Sequence, residues 1–139
     1  MLALVRPGTY FSEADAEGAQ ATEPTYSQSY LAHVATRAII IIDADDPAIG
    51  LTAFVPVGMS DVSSCMIHPH IQSGRHVAKG EEFGYFQYGG STYCLVFRLG
   101  AIAEFALAAI PQPHASAPTL VRVCSRLATT RQFWVLDQF

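Results

Sequence analysis

Ile39, Ile40, Ile41 and Ile42 stand in an unbroken row behind Ala38, and no other stretch narrows the fold so sharply. β-Branched side chains are stiff about χ1 and crowd a helix, but they pack well on a pleated strand. The run therefore predicts a buried strand from Ala38 to Ile42. It ends where Asp43, Asp45, Asp46, Pro47 and Gly50 supply turn chemistry, and Leu51 to Val57 follows as its hairpin partner. Other apolar runs bounded by Gly, Pro or Ser predict strands at Val62 to His68, Phe83 to Tyr88 and Tyr93 to Arg98. Leu2 to Val5 is strand-like at the start, and Leu120 to Val123 reads as a last strand. Strands at this density predict an α+β, mainly β domain of sandwich or barrel-like type, with one or two short helices.

Two segments read as helical. Ser27 is a candidate N-cap, and Tyr30, Leu31 and Val34 place apolar side chains at helical spacing before Arg37. Ile102 to Ile110 contains the helix formers of AEFALAA and predicts a helix stopped by Pro111 and Pro113. Between Pro7 and Pro24 the composition turns to Gly, Ala, Ser and acids, the signature of a surface loop. A Pro, Ala and Ser linker follows Pro111, and the aromatic end with Phe133, Trp134 and Phe139 receives no role.

Composition excludes several classes. Half of the 139 residues are hydrophobic and only 14% are charged, so the chain can bury enough apolar surface to fold. A net charge of -4 with scattered Lys and Arg offers no basic stripe for a phosphate backbone, which argues against nucleic-acid binding. Cys65, Cys94 and Cys124 are odd in number and contain no CxxC pair, so neither a disulfide framework nor a structural zinc site is expected. A reducing, intracellular and cytoplasmic setting follows. The apolar run Ala38 to Ile42 is far too short to cross a bilayer. Met1 leads straight into a strand-like segment, and from this we expect the chain to be part of a longer protein.

Chemistry concentrates between Gly74 and Phe97. GRHVAKGEEFG, residues 74 to 84, reads as a glycine-bounded turn leading into strand, with a second turn at Lys79 and Gly80. In YFQYGGSTYCLVF, residues 85 to 97, Gly89, Gly90 and Ser91 interrupt what is otherwise one long strand. A tight hairpin explains this structurally. A chemical explanation is that two residues without side chains leave the Gly90 carbonyl open to attack by the Ser91 hydroxyl.

The order of these features resembles the phosphatidylserine decarboxylase family of pyruvoyl-dependent enzymes. That family carries a lysine-glycine-acidic turn, a short strand ending in phenylalanine, a Gly-Ser-Thr processing site and an apolar strand. The same order stands here as Lys79, Gly80, Glu81, Glu82, Gly84 and Phe86, then Gly90, Ser91 and Thr92, then Leu95, Val96 and Phe97. VGMSDVSS, residues 57 to 64, resembles the family's valine-glycine-alanine segment. Ala35, Thr36 and Arg37 stand where Asn-Glu-Arg is usual, so only the arginine matches. PGTYFSEA and the doubled glycine are most similar to the fungal branch that includes soluble tryptophan decarboxylases. The resemblance runs from Pro7 to about Arg98.

The resemblance implies a self-processed carboxy-lyase made as a zymogen. Ser91 would attack the Gly90 carbonyl, the peptide would shift to an ester, and elimination would leave a pyruvoyl group made from Ser91 at the head of a new chain. That covalent cofactor condenses with a substrate amine and accepts electrons as carbon dioxide leaves. The implied substrates are phosphatidylserine, within phospholipid biosynthesis, or a free aromatic amino acid such as tryptophan. A phospholipid substrate would bring peripheral membrane contact, and further copies of the chain are admitted as partners. The family's histidine-rich motif and aspartate, which serve self-cleavage, precede the PGTYFS-like segment and have no counterpart here. The chain is therefore expected to be a C-terminal domain, residues 1–139, whose partner is the upstream segment of the same enzyme.

Other residues carry secondary expectations. His76 is a candidate proton donor near the processing turn, and Arg37 a candidate for orienting a substrate carboxylate or phosphate, with a structural ion pair as the alternative. Cys94 reads as a small core residue. His68 and His70, with His76 nearby, have the spacing of a metal-binding strand, but Ser73 and Gly74 stand where a ligand glutamate would follow and Pro69 disturbs the strand, so no metal is assigned. His33 and His114 read as ordinary histidines. Two rival readings remain at this point: a non-catalytic β-sandwich relic and a metal-dependent cupin-like protein.

Overall fold

A computed structural model describes residues 2–8, 28–58, 64–89, 91–110 and 120–131. Strand β1 (Leu2–Arg6) is followed by helix α1 (Gln28–Val34), β2 (Arg37–Asp43), β3 (Leu51–Val57), β4 (Ser64–Ile67), β5 (Gly84–Gln87), β6 (Thr92–Phe97), β7 (Ile102–Phe105) and β8 (Ala128–Thr130). A short 3-10 turn, Leu107–Ala109, lies between the last two strands. The fold is α+β and mainly β. Three sheets form, one of four strands in the order β1-β2-β3-β6 and two of two strands, β4-β5 and β7-β8. Packing gathers the chain into two compact units, one spanning Met1–Asp43 with Thr52–Val96, the other Ala44–Leu51 with Phe97–Phe139.

In the first unit the isoleucine run forms β2 and pairs antiparallel with β1 from Leu2 opposite Ile41 to Arg6 opposite Arg37. Ala38 and Ile40 are buried, whereas Ile39, Ile41 and Ile42 are only partly covered. Successive side chains on a strand alternate between faces, so the core lies on the face that Ile40 shares with Ala38. Burying an isoleucine of this kind contributes about 1.5–3 kcal/mol. Leu31 of α1 and Val57 of β3 are also fully buried. Gly8 donates its N–H to Thr36 Oγ1 at 3.2 Å, and a Cβ there would run into the backbone of Val34 and Ala35. The strand β4 pairs antiparallel with β5, Ser64 opposite Gln87 and Ile67 opposite Gly84. A Cβ on Gly84 would collide with the Met66 carbonyl, so close pairing of β4 and β5 requires glycine there.

The second unit contains the antiparallel pair β7-β8, Ile102 opposite Thr130 and Phe105 opposite Ala128. Arg98 donates to the Pro47 carbonyl at 2.7 Å and the Ile49 carbonyl at 3.2 Å, fixing the β2–β3 turn.

Three expectations are corrected. Ile102 to Ile110 is a strand and a 3-10 turn rather than a helix, because pairing with β8 outweighs the local preference of AEFALAA. Leu120 to Val123 is irregular and turns at Val123, with Cys124 at φ 62°, and the last strand comes later at Ala128–Thr130. The glycine-serine interruption is not a hairpin, since β5 pairs with β4 while β6 joins β3 in a different sheet. Ser27, Gly90, His114, most of the Pro7 to Pro24 segment, the linker after Pro111 and the aromatic end lie outside the described residues.

Candidate functional site

Ser91 stands at the entry to β6, just where the chain leaves one sheet for another. It is half-buried, and its Oγ donates a hydrogen bond of 2.5 Å to the carbonyl of Val57, the last residue of β3. A hydroxyl has one proton and two lone pairs. With the proton directed at Val57, the oxygen keeps its lone pairs outside that bond. The carbonyl orients this oxygen without deprotonating it, because an amide oxygen is not a base near neutral pH. Gly90, the other half of the predicted processing site, lies outside the described residues. Gly89 adopts φ +115°, a conformation that side-chain-bearing residues rarely accept, and open space surrounds the place where a Cβ would stand.

The end of β5 is clamped from the neighbouring strand. Ser64 Oγ donates to the Gln87 carbonyl at 2.7 Å and accepts from the Gln87 N–H at 3.1 Å, so one hydroxyl satisfies both backbone groups. Downstream, Tyr93 packs its ring on Phe54 with centroids 5.4 Å apart, and Phe54 packs in turn on Phe83 at 6.0 Å. The start of β6 is thus tied to β3 by a polar contact at Ser91 and an aromatic one at Tyr93.

A cavity of about 280 Å³ lies inside the first unit. Ala38 and Ile40 of β2, Phe54 and Pro56 of β3, and residues of β4 and β5 form its walls. Cys65 is buried within this wall, its Sγ 3.5 Å from the Pro56 carbonyl, and burial pushes the thiol above its ordinary value of 9.0. Glu81 also contributes to the lining.

The family model for phosphatidylserine decarboxylase matches residues 5–115. The chain belongs to the phosphatidylserine decarboxylase family. It is 48% identical over 79 residues to decarboxylase iboD of Amanita muscaria, covering 57% of this chain and 22% of that protein. It is 32% identical over 134 residues to L-tryptophan decarboxylase of Psilocybe cyanescens, covering 91% of this chain and 29% of the relative. It is also 39% identical over 94 residues to phosphatidylserine decarboxylase proenzyme 2 of rice, 68% of this chain and 14% of that one. The chain therefore spans under a third of the length of these relatives. No solved structure matches it.

Within this family member the remaining candidate residues fall in different places. Arg37 is half-buried at the start of β2 and donates from Nη1 to the Ala35 carbonyl at 3.1 Å. His76 is exposed in the irregular stretch after the Ser73–Gly74 turn, and the strand expected there does not form. Cys94 is partly covered in β6.

The histidines that resembled a metal motif have carboxylate partners. His68 Nε2 lies 2.8 Å from Glu82 Oε1, and His70 Nε2 lies 3.6 Å from Glu81 Oε1, which also receives Arg75 at 2.7 Å. The two imidazoles stack at 5.3 Å with their planes 14° apart. Among the described residues no group of three or more His, Cys, Asp or Glu is arranged to hold a metal ion. The backbone N–H of Ala78, followed by the charge of Arg75, holds the Glu81 carboxyl below its ordinary 4.5. Among the described residues no helix is long and apolar enough to cross a membrane.

Sequence reasoning missed the Val57 carbonyl, the Ser64 clamp and the cavity. Nothing in the local pattern marks Val57, because its backbone acts rather than its side chain. Ser64 stood in the VGMSDVSS resemblance without an assigned role. The cavity's apolar residues read individually as ordinary core.

Proposed function

We propose that this chain is the processing and prosthetic-group-bearing part of a pyruvoyl-dependent decarboxylase, cleaved between Gly90 and Ser91. The observation that carries the reading is the orientation of Ser91, whose hydroxyl is anchored on Val57 inside the family's Gly-Ser-Thr sequence. An oriented nucleophile converts part of the barrier into prepaid entropy. The residues also suit the group itself, which would be made from Ser91 in place, on a strand start secured by Val57 and Tyr93 and two residues after Gly89, where an added Cβ would meet nothing within 4 Å. Once formed, the pyruvoyl ketone would supply the electron sink for decarboxylation.

This chain supplies the nucleophile and the bond that breaks. Ser91 Oγ forms a bond to the Gly90 carbonyl carbon, the Gly90–Ser91 C–N bond breaks, and the hydroxyl proton passes to the released amine; loss of the Ser91 Cα proton with departure of the Gly90 carboxylate would then break the ester, and water would replace the nitrogen as ammonia to leave the keto group. A base must move that proton, and a positioned one is worth about 10² to 10⁴ in rate. We assign this task to the upstream segment of the enzyme, where the family carries its histidine-rich motif and aspartate. The substrate carries an amine beside a carboxylate, a group common to free amino acids and to the phosphatidylserine headgroup. Arg37 and His76 remain candidates for carboxylate orientation and proton donation.

The test is intact-mass analysis of the chain alone and with the upstream segment of a fungal relative supplied. Cleavage after Gly90 only when the segment is present, with a keto group replacing the serine, is the expected result. A chain that stays whole in both conditions sinks the reading and favours a non-catalytic relic.

A further inference from the structure

Self-processing would consume one of the contacts that hold its own product. The cleavage carries Ser91 Oγ away on the Gly90 carboxylate, and with it goes the hydrogen bond to Val57 that ties the start of β6 to β3. The cut also runs through both compact units, since each contains residues from either side of the Gly90–Ser91 bond. In the first unit β6 keeps its ladder to β3 and the Tyr93 ring on Phe54. In the second unit one side chain joins the two sides. Arg98, the residue after β6, donates from Nη2 to the Pro47 carbonyl at 2.7 Å and from Nε to the Ile49 carbonyl at 3.2 Å.

Both sides are shaped for this contact. In residues 44–50 the Asp46 carbonyl accepts from the N–H groups of Ile49 and Gly50, the Asp46 carboxylate accepts from the Ala48 N–H at 2.9 Å, and the Gly50 carbonyl accepts from Ala44. The turn is thereby closed on itself, and the carbonyls of Pro47 and Ile49 are the ones that serve the guanidinium. Gly50 has φ +59°, and a Cβ there would stand 2.7 Å from Arg98 Cζ, so the missing side chain makes room for the group. On the other side the Arg98 carbonyl accepts from Ala101 at 3.1 Å, and the carbonyl of buried Ala101 accepts from Arg131, just past β8. The arginine thus stands on backbone anchored at the end of the β7–β8 pair. Resting on the reading of Gly90 and Ser91 above, we infer that Arg98 is the bolt that holds the two polypeptides together once the bond is cut, a positioning residue that keeps β6, and residue 91 at its head, in place.

While the chain is whole the contact is intramolecular; after the cut it contributes to an association between two polypeptides. Hydrogen bonds from a charged donor are the stronger ones, and exposure of Arg98 to solvent keeps this pair toward the lower end. Arg98→Gln should therefore speed dissociation about tenfold, seen mainly in the off-rate. The 139-residue chain with a site-specific protease sequence inserted between Gly90 and Ser91 provides the cut without self-processing, and release of the piece that begins at Ser91 is followed by native mass spectrometry after dilution. Arg98→Lys should also release the piece faster than the parent, because a compact ammonium lacks the planar fork that reaches both carbonyls. Uncut Arg98→Gln should remain folded, with Tm lowered by only about 3–5 °C. Equal release from Arg98→Gln and the parent overturns the inference. So does an Arg98→Lys protein that holds as well as the parent, since positive charge alone then suffices. A much larger drop in Tm makes Arg98 a requirement of the fold and overturns a role specific to the cut protein. Self-cleavage is read separately, by intact mass of the unmodified chain with the upstream segment supplied. A chain that stays whole there sinks the pyruvoyl reading, whereas release that ignores Arg98 sinks this inference alone.

Discussion

Replacing Ser91 by alanine separates chemistry from structure at the proposed processing site. The substitution removes one hydrogen bond, from Oγ to the Val57 carbonyl at 2.5 Å, and leaves Val57, which is fully buried, with one acceptor site vacated. A neutral hydrogen bond of this kind contributes about 0.5–1.5 kcal/mol net. Because Ser91 is only half-buried, water can reach part of the vacated site, which keeps the loss near 1 kcal/mol. For a chain of this size that lowers Tm by about 3–5 °C. Cleavage should vanish altogether, because alanine has no oxygen to attack the Gly90 carbonyl. The assay pairs a thermal melt with intact mass, both with the upstream segment present. Continued cleavage in Ser91→Ala refutes the nucleophile assignment. A melt lowered by more than about 10 °C refutes the structural estimate, making Ser91 a keystone of the fold and loss of cleavage uninformative.

Three other outcomes follow from the geometry. Gly84→Ala should cost about 1–3 kcal/mol or more, seen as a lowered denaturant midpoint, since its Cβ would meet the Met66 carbonyl in a backbone pair that cannot give way; an unchanged midpoint would contradict the β4–β5 register. Glu81 has its folded pKa below 4.5, so its ionised form stabilises the fold above about pH 4.5 and that contribution fades as the pH falls through the folded value. Acid melts should therefore show Glu81→Gln losing less stability on acidification than the parent, and parallel curves would remove Glu81 from the acid response. Cysteine labelling of the free chain should proceed fastest at exposed Cys124 and slowest at buried Cys65, whose thiol lies above 9.0; the reverse order would refute the burial of β4.

How much of this was legible depended on whether a feature is local. The strand at Ile39 to Ile42 and its turn at Asp43 to Gly50 are written in neighbouring residues, and β2 and β3 follow them within a residue or two. The family's motif order could likewise be read, because it lies along the chain. AEFALAA misled because helix propensity is local while the ladder to Ala128–Thr130 is not. The partners of His68 and Ser91 lie 14 and 34 residues away, at Glu82 and Val57. Only the fold brings them together. The same holds for the glycine-serine interruption, whose hairpin-like appearance gave no sign that β5 and β6 belong to different sheets.

The central claim is that Gly90 and Ser91 form a self-processing site, and an intact-mass spectrum of the chain co-expressed with the upstream segment of a fungal relative tests it most directly. The account predicts two polypeptides, one ending at Gly90 and one running from residue 91 to Phe139, the second beginning with a keto group that reacts with hydroxylamine. An unbroken chain with Ser91 intact, a break elsewhere, or a second polypeptide that begins with ordinary serine would contradict it.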